Sequence, residues 1–231
     1  MLFKPLKLRD IEIQNRIAMQ CGRVAGQNGE VSERMISRYR KIAKAGTGLI
    51  IPGYMYVDRQ GKTARYQTGI HNDKMIPGLK RLSDTVHEEG GRIVFQLHHG
   101  GRQCHRSITG MTPIAPSATF PDPVFMTCGT KMNEGQIEET IEAFAQAARR
   151  SVEAGADGVQ LHGSNGFLIN QFLSPFFNRR RDAWGKNPEG RFRFFSEAFK
   201  RVRKEVPQNL PVLVKLNVWE HLPGGITPDL A

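Results

Sequence analysis

The stretch Arg92-Ile93-Val94-Phe95-Gln96-Leu97-His98-His99-Gly100 decides the fold. It begins as a short, nearly continuous apolar run and ends in polar side chains. Such runs, bounded by glycine, read as strands of a parallel sheet buried on both faces. Four other apolar runs occur, and three of them end in polar side chains. Gln20 and Cys21 follow Arg16-Ile17-Ala18-Met19, and Pro52 and Gly53 follow Gly48-Leu49-Ile50-Ile51. His162 follows Val159-Gln160-Leu161, and Lys215 and Asn217 sit at the end of Val212-Leu213-Val214-Lys215-Leu216. In a barrel the C-terminal ends of all parallel strands converge on one mouth, so these polar groups meet. An open doubly wound sheet instead places a Gly-rich phosphate loop after its first strand. Here Gly22-Arg23-Val24-Ala25-Gly26 lacks that spacing. The pattern predicts an α/β fold of the (β/α)8 TIM barrel type.

Helices alternate with the strands. Ser32 is a predicted N-cap for a helix to Ala45, with Met35, Ile36, Tyr39, Ile42 and Ala43 at helical spacing. A second helix runs from about Asp73 to Glu89, with Ile76, Leu79, Leu82 and Val86 on one face. A third starts at Asn133, which forms a predicted capping box with Gln136, and a fourth covers about Glu189 to Val206. Gly46, Gly90 and Gly155 close the first three, where a short turn needs a left-handed residue.

Composition sets the outer bounds. The chain has 231 residues, 39% hydrophobic and 24% charged, enough for one barrel domain over 1–231. No apolar run approaches the roughly 18 residues of a membrane helix, and Met1-Leu2-Phe3-Lys4-Pro5 lacks a signal-peptide core. Three cysteines, Cys21, Cys104 and Cys128, form neither a disulfide framework nor a C-x-x-C metal pair. A cytoplasmic protein without a metal is expected. The net charge of +11 is dispersed, and its densest cluster, Arg179-Arg180-Arg181, lacks interleaved aromatic residues. A phosphate-bearing cofactor or substrate therefore suits the charge better than nucleic acid.

Longer motifs add a resemblance. Asn15-Arg16-Ile17, Gly48-Leu49-Ile50-Ile51-Pro52-Gly53-Tyr54 and Gln96-Leu97-His98-His99-Gly100-Gly101-Arg102-Gln103 occur in order, followed by Ala115-Pro116-Ser117. His162-Gly163-Ser164-Asn165-Gly166-Phe167-Leu168, Gln171-Phe172-Leu173-Ser174-Pro175 and Asn178-Arg179-Arg180 complete the set. Together they resemble the Old Yellow Enzyme class of NADH:flavin oxidoreductases and 2,4-dienoyl-CoA reductases. The resemblance implies a barrel of the FMN oxidoreductase type. It also implies hydride transfer from NADH or NADPH, through flavin, to a small molecule with an activated α,β-unsaturated alkene. By the same resemblance His162 and Asn165 grip the substrate's activating oxygen. Met19, Gln20, Cys21, Gly53, Gln96 and Lys215 contact the flavin, Gln96 at its pyrimidine edge and Lys215 beside N1 and O2. A satisfied polar residue inside the barrel is the competing reading of Gln96.

Two departures stand out. Phe167 occupies the position where many relatives place a tyrosine, the proposed proton donor. The barrel pattern also ends after its fifth strand, before the family's FMN phosphate site, so a fragment of a longer barrel is the first expectation and a homo-oligomer or a completing second chain the next. A degenerate family member without flavin catalysis is another. A tRNA dihydrouridine synthase is the last, and would use Cys104 as its catalytic thiol.

Overall fold

The computed structural model describes residues 1–20, 24–122 and 125–230. Two short strands, β1 (Leu6–Leu8) and β2 (Ile11–Ile13), open the chain as an antiparallel hairpin. The sequence predicts neither strand, because runs of three residues carry almost no periodicity. β3 (Ala18–Gln20) comes next, starting two residues later than expected. Helix α1 (Glu33–Lys44) begins where the Ser32 side chain accepts the Met35 amide, and it buries Met35, Ile36, Tyr39 and Ala43. Gly46, at φ +81°, turns the chain into β4 (Leu49–Ile51) and then β5 (Tyr54–Tyr56). Helix α2 (Ile76–Glu88) leads to β6 (Phe95–His98), a short helix α3 (Arg106–Thr109) and the two-residue strands β7 (Ile114–Ala115) and β8 (Thr130–Lys131). The predicted Asn133–Gln136 capping box opens α4 (Glu134–Glu153). Then come β9 (Val159–Gly163), α5 (Leu168–Leu173), α6 (Pro188–Glu205) and β10 (Val212–Leu216).

The long strands run parallel. β3 pairs with β4, while β5, β6, β9 and β10 form one sheet in that order. β4 and β5 are two halves of one strand position. Ile50 bridges to Ile93, but Tyr54 pairs with Gln96, so the first partner has gained one residue on the second. That extra residue is a β-bulge at Pro52–Gly53, with Gly53 at φ +84°.

Alternation along the strands separates two cores. Ile50, Met55, Ile93, Phe95, Leu97, Val159 and Leu161 face the helices in the larger cluster. Leu49, Ile51 and Val94 face inward instead, where Ile13, Leu6 and Leu8 of the hairpin and Leu213 of β10 pack against them. The inner face is thus apolar at its base and capped there by the hairpin. Towards the C-terminal ends the same face carries Gln96, His98, Gln160, His162 and Lys215. On the opposite face of β10, Val214 and Leu216 are 37% and 43% exposed. The described strands fill five positions of a parallel α/β array and do not themselves complete a ring of eight.

Candidate active site

Strand register assembles the polar end of the inner face. Tyr54, Gln96 and Gln160 are aligned partners across β5, β6 and β9, and His162 is aligned with Lys215 across β9 and β10. Gln96 Nε2 donates to Gln160 Oε1 at 2.5 Å, whereas Gln96 Oε1 is buried and has no hydrogen-bond partner. Lys215 Nζ reaches Gln20 Oε1 of β3 at 3.5 Å. That contact joins the first and fifth strand positions over the interior.

Above this layer lies a cluster of four rings. Tyr54 stands 4.5 Å from His98, 5.6 Å from His162 and 5.5 Å from Phe167, centroid to centroid. Phe167 meets both histidines edge-on, at 4.3 and 5.0 Å. His162 is 2% exposed. Burial, reinforced by the charge of Lys215, holds its imidazole down to about 3, so the ring is neutral at ordinary pH.

Asn165 sits on a turn that its neighbours fix. It adopts φ +62°, and Gly166 follows at +74°. Asparagine tolerates this left-handed region better than most residues. Its amide N–H donates to Asn217 Oδ1 at 3.2 Å, and that of Gly166 donates to Asn170 Oδ1 at 2.7 Å. Gln171 Nε2 adds bonds to the carbonyls of Gly100 and Gly166, tying the turn to the end of β6. The Ser164 hydroxyl donates to Asn165 Oδ1 at 2.8 Å and lies 3.4 Å from His162 Nδ1. Its single hydrogen is committed to Asn165 Oδ1, which leaves the Asn165 NH2 as that side chain's donor.

Comparison with known proteins gives this arrangement its context. The pattern of the NADH:flavin oxidoreductase / NADH oxidase family matches residues 1–227. The chain belongs to the NADH:flavin oxidoreductase family. It is 39% identical over 229 residues to a metal reductase of Desulforamulus reducens, covering 98% of this chain and 34% of that protein. The structure of a 2-naphthoyl-CoA reductase in complex with 2-naphthoyl-CoA superposes with a TM-score of 0.95 at 31% identity, over 99% of this chain and 37% of that one. The Old Yellow Enzyme homologue of Zymomonas mobilis gives 0.90 at 28% identity, over 99% and 66%. The chain therefore spans about a third of the first two relatives and about two thirds of the third.

This family uses FMN, with NADH or NADPH as reductant. The residues fit such a group. Gln96 keeps a buried acceptor unused, and Lys215 is a cation on the inner face whose contact to Gln20 is long. Gln20 lies in the same layer. Met19 does not: it pairs with Ile50 and packs in the helix-facing core, so any contact it makes with a flavin is through its main chain. Gly53 forms the bulge. Cys21 lies outside the described residues.

Other sequence readings resolve differently. Cys104 is fully buried, and burial pushes its thiol upward, which argues against the catalytic role a dihydrouridine synthase would give it. Arg180 of the basic triplet is 6% exposed and donates to the carbonyls of Pro116 and Met132 while pairing with Asp182. It clamps the segment after β6 and offers no docking patch. Gln160, Ser164 and Asn170 were not singled out from sequence. A glutamine inside Val-Gln-Leu and an asparagine within a buried helix were the available signals.

Proposed function

We propose that this chain forms the flavin-edge and substrate-gripping walls of an FMN-dependent, NAD(P)H-driven ene-reductase. When bound, FMN supplies the hydride, taken from NADH or NADPH and given to an alkene conjugated to an electron-withdrawing group. The observation that carries the reading is the register that brings Gln96, His162 and Lys215 onto one inner face, with the unused acceptor of Gln96 buried there.

Each residue has a task its surroundings suit. Gln96 Oε1 accepts from an N–H of the pyrimidine edge. Lys215 supplies a fixed positive charge where negative charge develops. Gln20, Gly53 and the main chain of Met19 line the same seat. His162 and Asn165 hydrogen-bond the activating oxygen and draw electron density from the carbon that receives hydride. A neutral His162 does this without giving up its proton. The product also needs a proton at the neighbouring carbon, and Phe167 has none to give. We assign that proton to the phenol of Tyr54, which shares the ring cluster with His162 and Phe167.

The test is the visible spectrum of the protein mixed with FMN and then desalted, followed by NAD(P)H oxidation with an enone. Flavin bands that stay with the protein, together with turnover, support the reading. A colourless protein after desalting would mean that these walls alone do not hold the cofactor, and would overturn it for this chain.

A further inference from the structure

A second cavity opens beside β5, on the side away from β9. It has a volume of about 380 Å³, and its lining includes Arg59, Lys62, His71, Asn72 and Lys74. Its wall is built rather than incidental. Tyr56 Oη donates to the carbonyl of Asn28 at 2.9 Å, and the Tyr56 ring stacks on His71 at 4.9 Å. A Cβ on Gly29, which stands at φ +88°, would come within 2.3 Å of that phenol, so the loop is fitted closely against it.

Three cations face this space with most of their donors unused. Arg59 spends one N–H on His71 Nε2 at 3.5 Å, and Lys62 spends one on the carbonyl of Gln27 at 2.8 Å. Among the described residues neither forms an ion pair with a carboxylate, and nor does Lys74. The nearby carboxylate of Asp58 is taken up by His99 and by the amides of Gln60 and Gly61. Glu30 is the one acid in the lining. His71 accepts from Asn72 as well as Arg59, so it acts as a neutral prop that holds the guanidinium. Burial, then repulsion from Arg59, keeps its imidazole down to about 4, and the same two causes push Lys62 below its ordinary value. Three cations around one carboxylate leave a net positive charge in the lining, which favours an anion there.

We propose that this cavity binds the phosphate or diphosphate of an extended ligand, with Arg59, Lys62 and Lys74 as its donors. Tyr54 and Tyr56 lie two residues apart on one strand face, about 7 Å, so the cavity begins one step from the ring cluster. A nicotinamide dinucleotide and a coenzyme A thioester both carry a diphosphate on a flexible arm. That the ligand's far end reaches the ring cluster rests on the function proposed above, whereas the anion site does not.

Calorimetric titration of the flavin-free protein with inorganic pyrophosphate tests the site. The wild type should bind it, more weakly as salt is raised. The double variant Arg59→Gln/Lys62→Met should lose at least about tenfold in affinity at an unchanged melting temperature. Should the double variant fold poorly, Lys74→Gln, at an exposed position, should still weaken binding by about threefold. No binding by the wild type, or equal binding by the variants, overturns the proposal. Adenosine 3′-phosphate 5′-diphosphate and ADP, which share the diphosphate and differ in the 3′-phosphate, then separate the sources. Preference for the first supports a thioester ligand, and preference for the second a dinucleotide. Binding of both far below pyrophosphate overturns the extended-ligand claim. Flavin retention by the same variants stays as in the wild type if only the anion site is affected, so failure here is distinct from failure of the flavin reading.

Discussion

Gln96 donates to Gln160 and leaves its own carbonyl oxygen buried and unpaired. A buried orphan acceptor costs about 1–3 kcal/mol, so a protein gains nothing from it unless something binds there. Gln96→Met removes that acceptor but also takes the donor from half-buried Gln160. The two effects should offset, so the stability of the flavin-free chain should change by no more than about 1 kcal/mol, while flavin affinity falls at least about tenfold. Urea unfolding and fluorescence titration measure the two separately. A large stability loss with flavin affinity intact would make Gln96 purely structural.

Asn165→Ala and His162→Ala should each lower turnover of an α,β-unsaturated ketone by roughly 10²–10³, the range for removing one oxyanion donor. Flavin retention should stay unchanged in both. Ser164→Ala, which frees the Asn165 amide to rotate, should have the same effect in smaller measure. Stopped-flow measurement of enone reduction reads all three, and unchanged rates would remove the pair from the chemistry.

Acid should destabilise the fold earlier than its carboxylates alone would predict. Burial holds His162 at about 3 and His71 at about 4, both below the ordinary value of 6.5. The unfolded chain thus takes up protons that the folded chain refuses. The stability these groups confer is complete above about pH 6.5 and is lost as pH falls towards 4 and then 3. His162 contributes a slope of up to about 1.4 kcal/mol per pH unit, and the more accessible His71 less. Denaturant unfolding at pH 7, 6 and 5 checks this, and His162→Gln should flatten the curve.

Tyr54→Phe should leave hydride delivery intact and slow product protonation. The expected sign is a solvent isotope effect on turnover that the wild type shows and the variant alters. Restoring a phenol with Phe167→Tyr in the Tyr54→Phe background should recover rate. If Tyr54→Phe turns over as the wild type does, water supplies the proton.

Much of the fold was legible because its signals are local. Ser32 caps α1, Asn133 and Gln136 form their box, and Gly46, Gly90 and Gly155 all take positive φ, each as its sequence neighbourhood dictates. The N-terminal hairpin and α5 were not seen, being too short for any periodicity to accumulate. In the site, His162, Gln96 and Lys215 stood out as polar residues at strand ends. Their partners did not, because Gln160 is chosen by register across β6 and β9, a relationship 64 residues apart along the chain. The direction of Met19 was equally hidden. Its pairing with Ile50 decides which core it joins.

The single inserted residue at Pro52–Gly53 sets the parity of everything after it. Before it, odd-numbered Leu49 and Ile51 point inward and even-numbered Ile50 outward; after it, even-numbered Tyr54 points inward and odd-numbered Met55 and Val57 outward. Straightening the bulge without shortening the strand would reverse the phase, bringing a thioether to the mouth in place of a phenol and moving Tyr56 off the wall of the basic cavity. Deleting one residue there would instead restore plain alternation and leave Tyr54 facing inward opposite Gln96, so the left-handed Gly53 keeps two neighbouring sites in phase at this strand length.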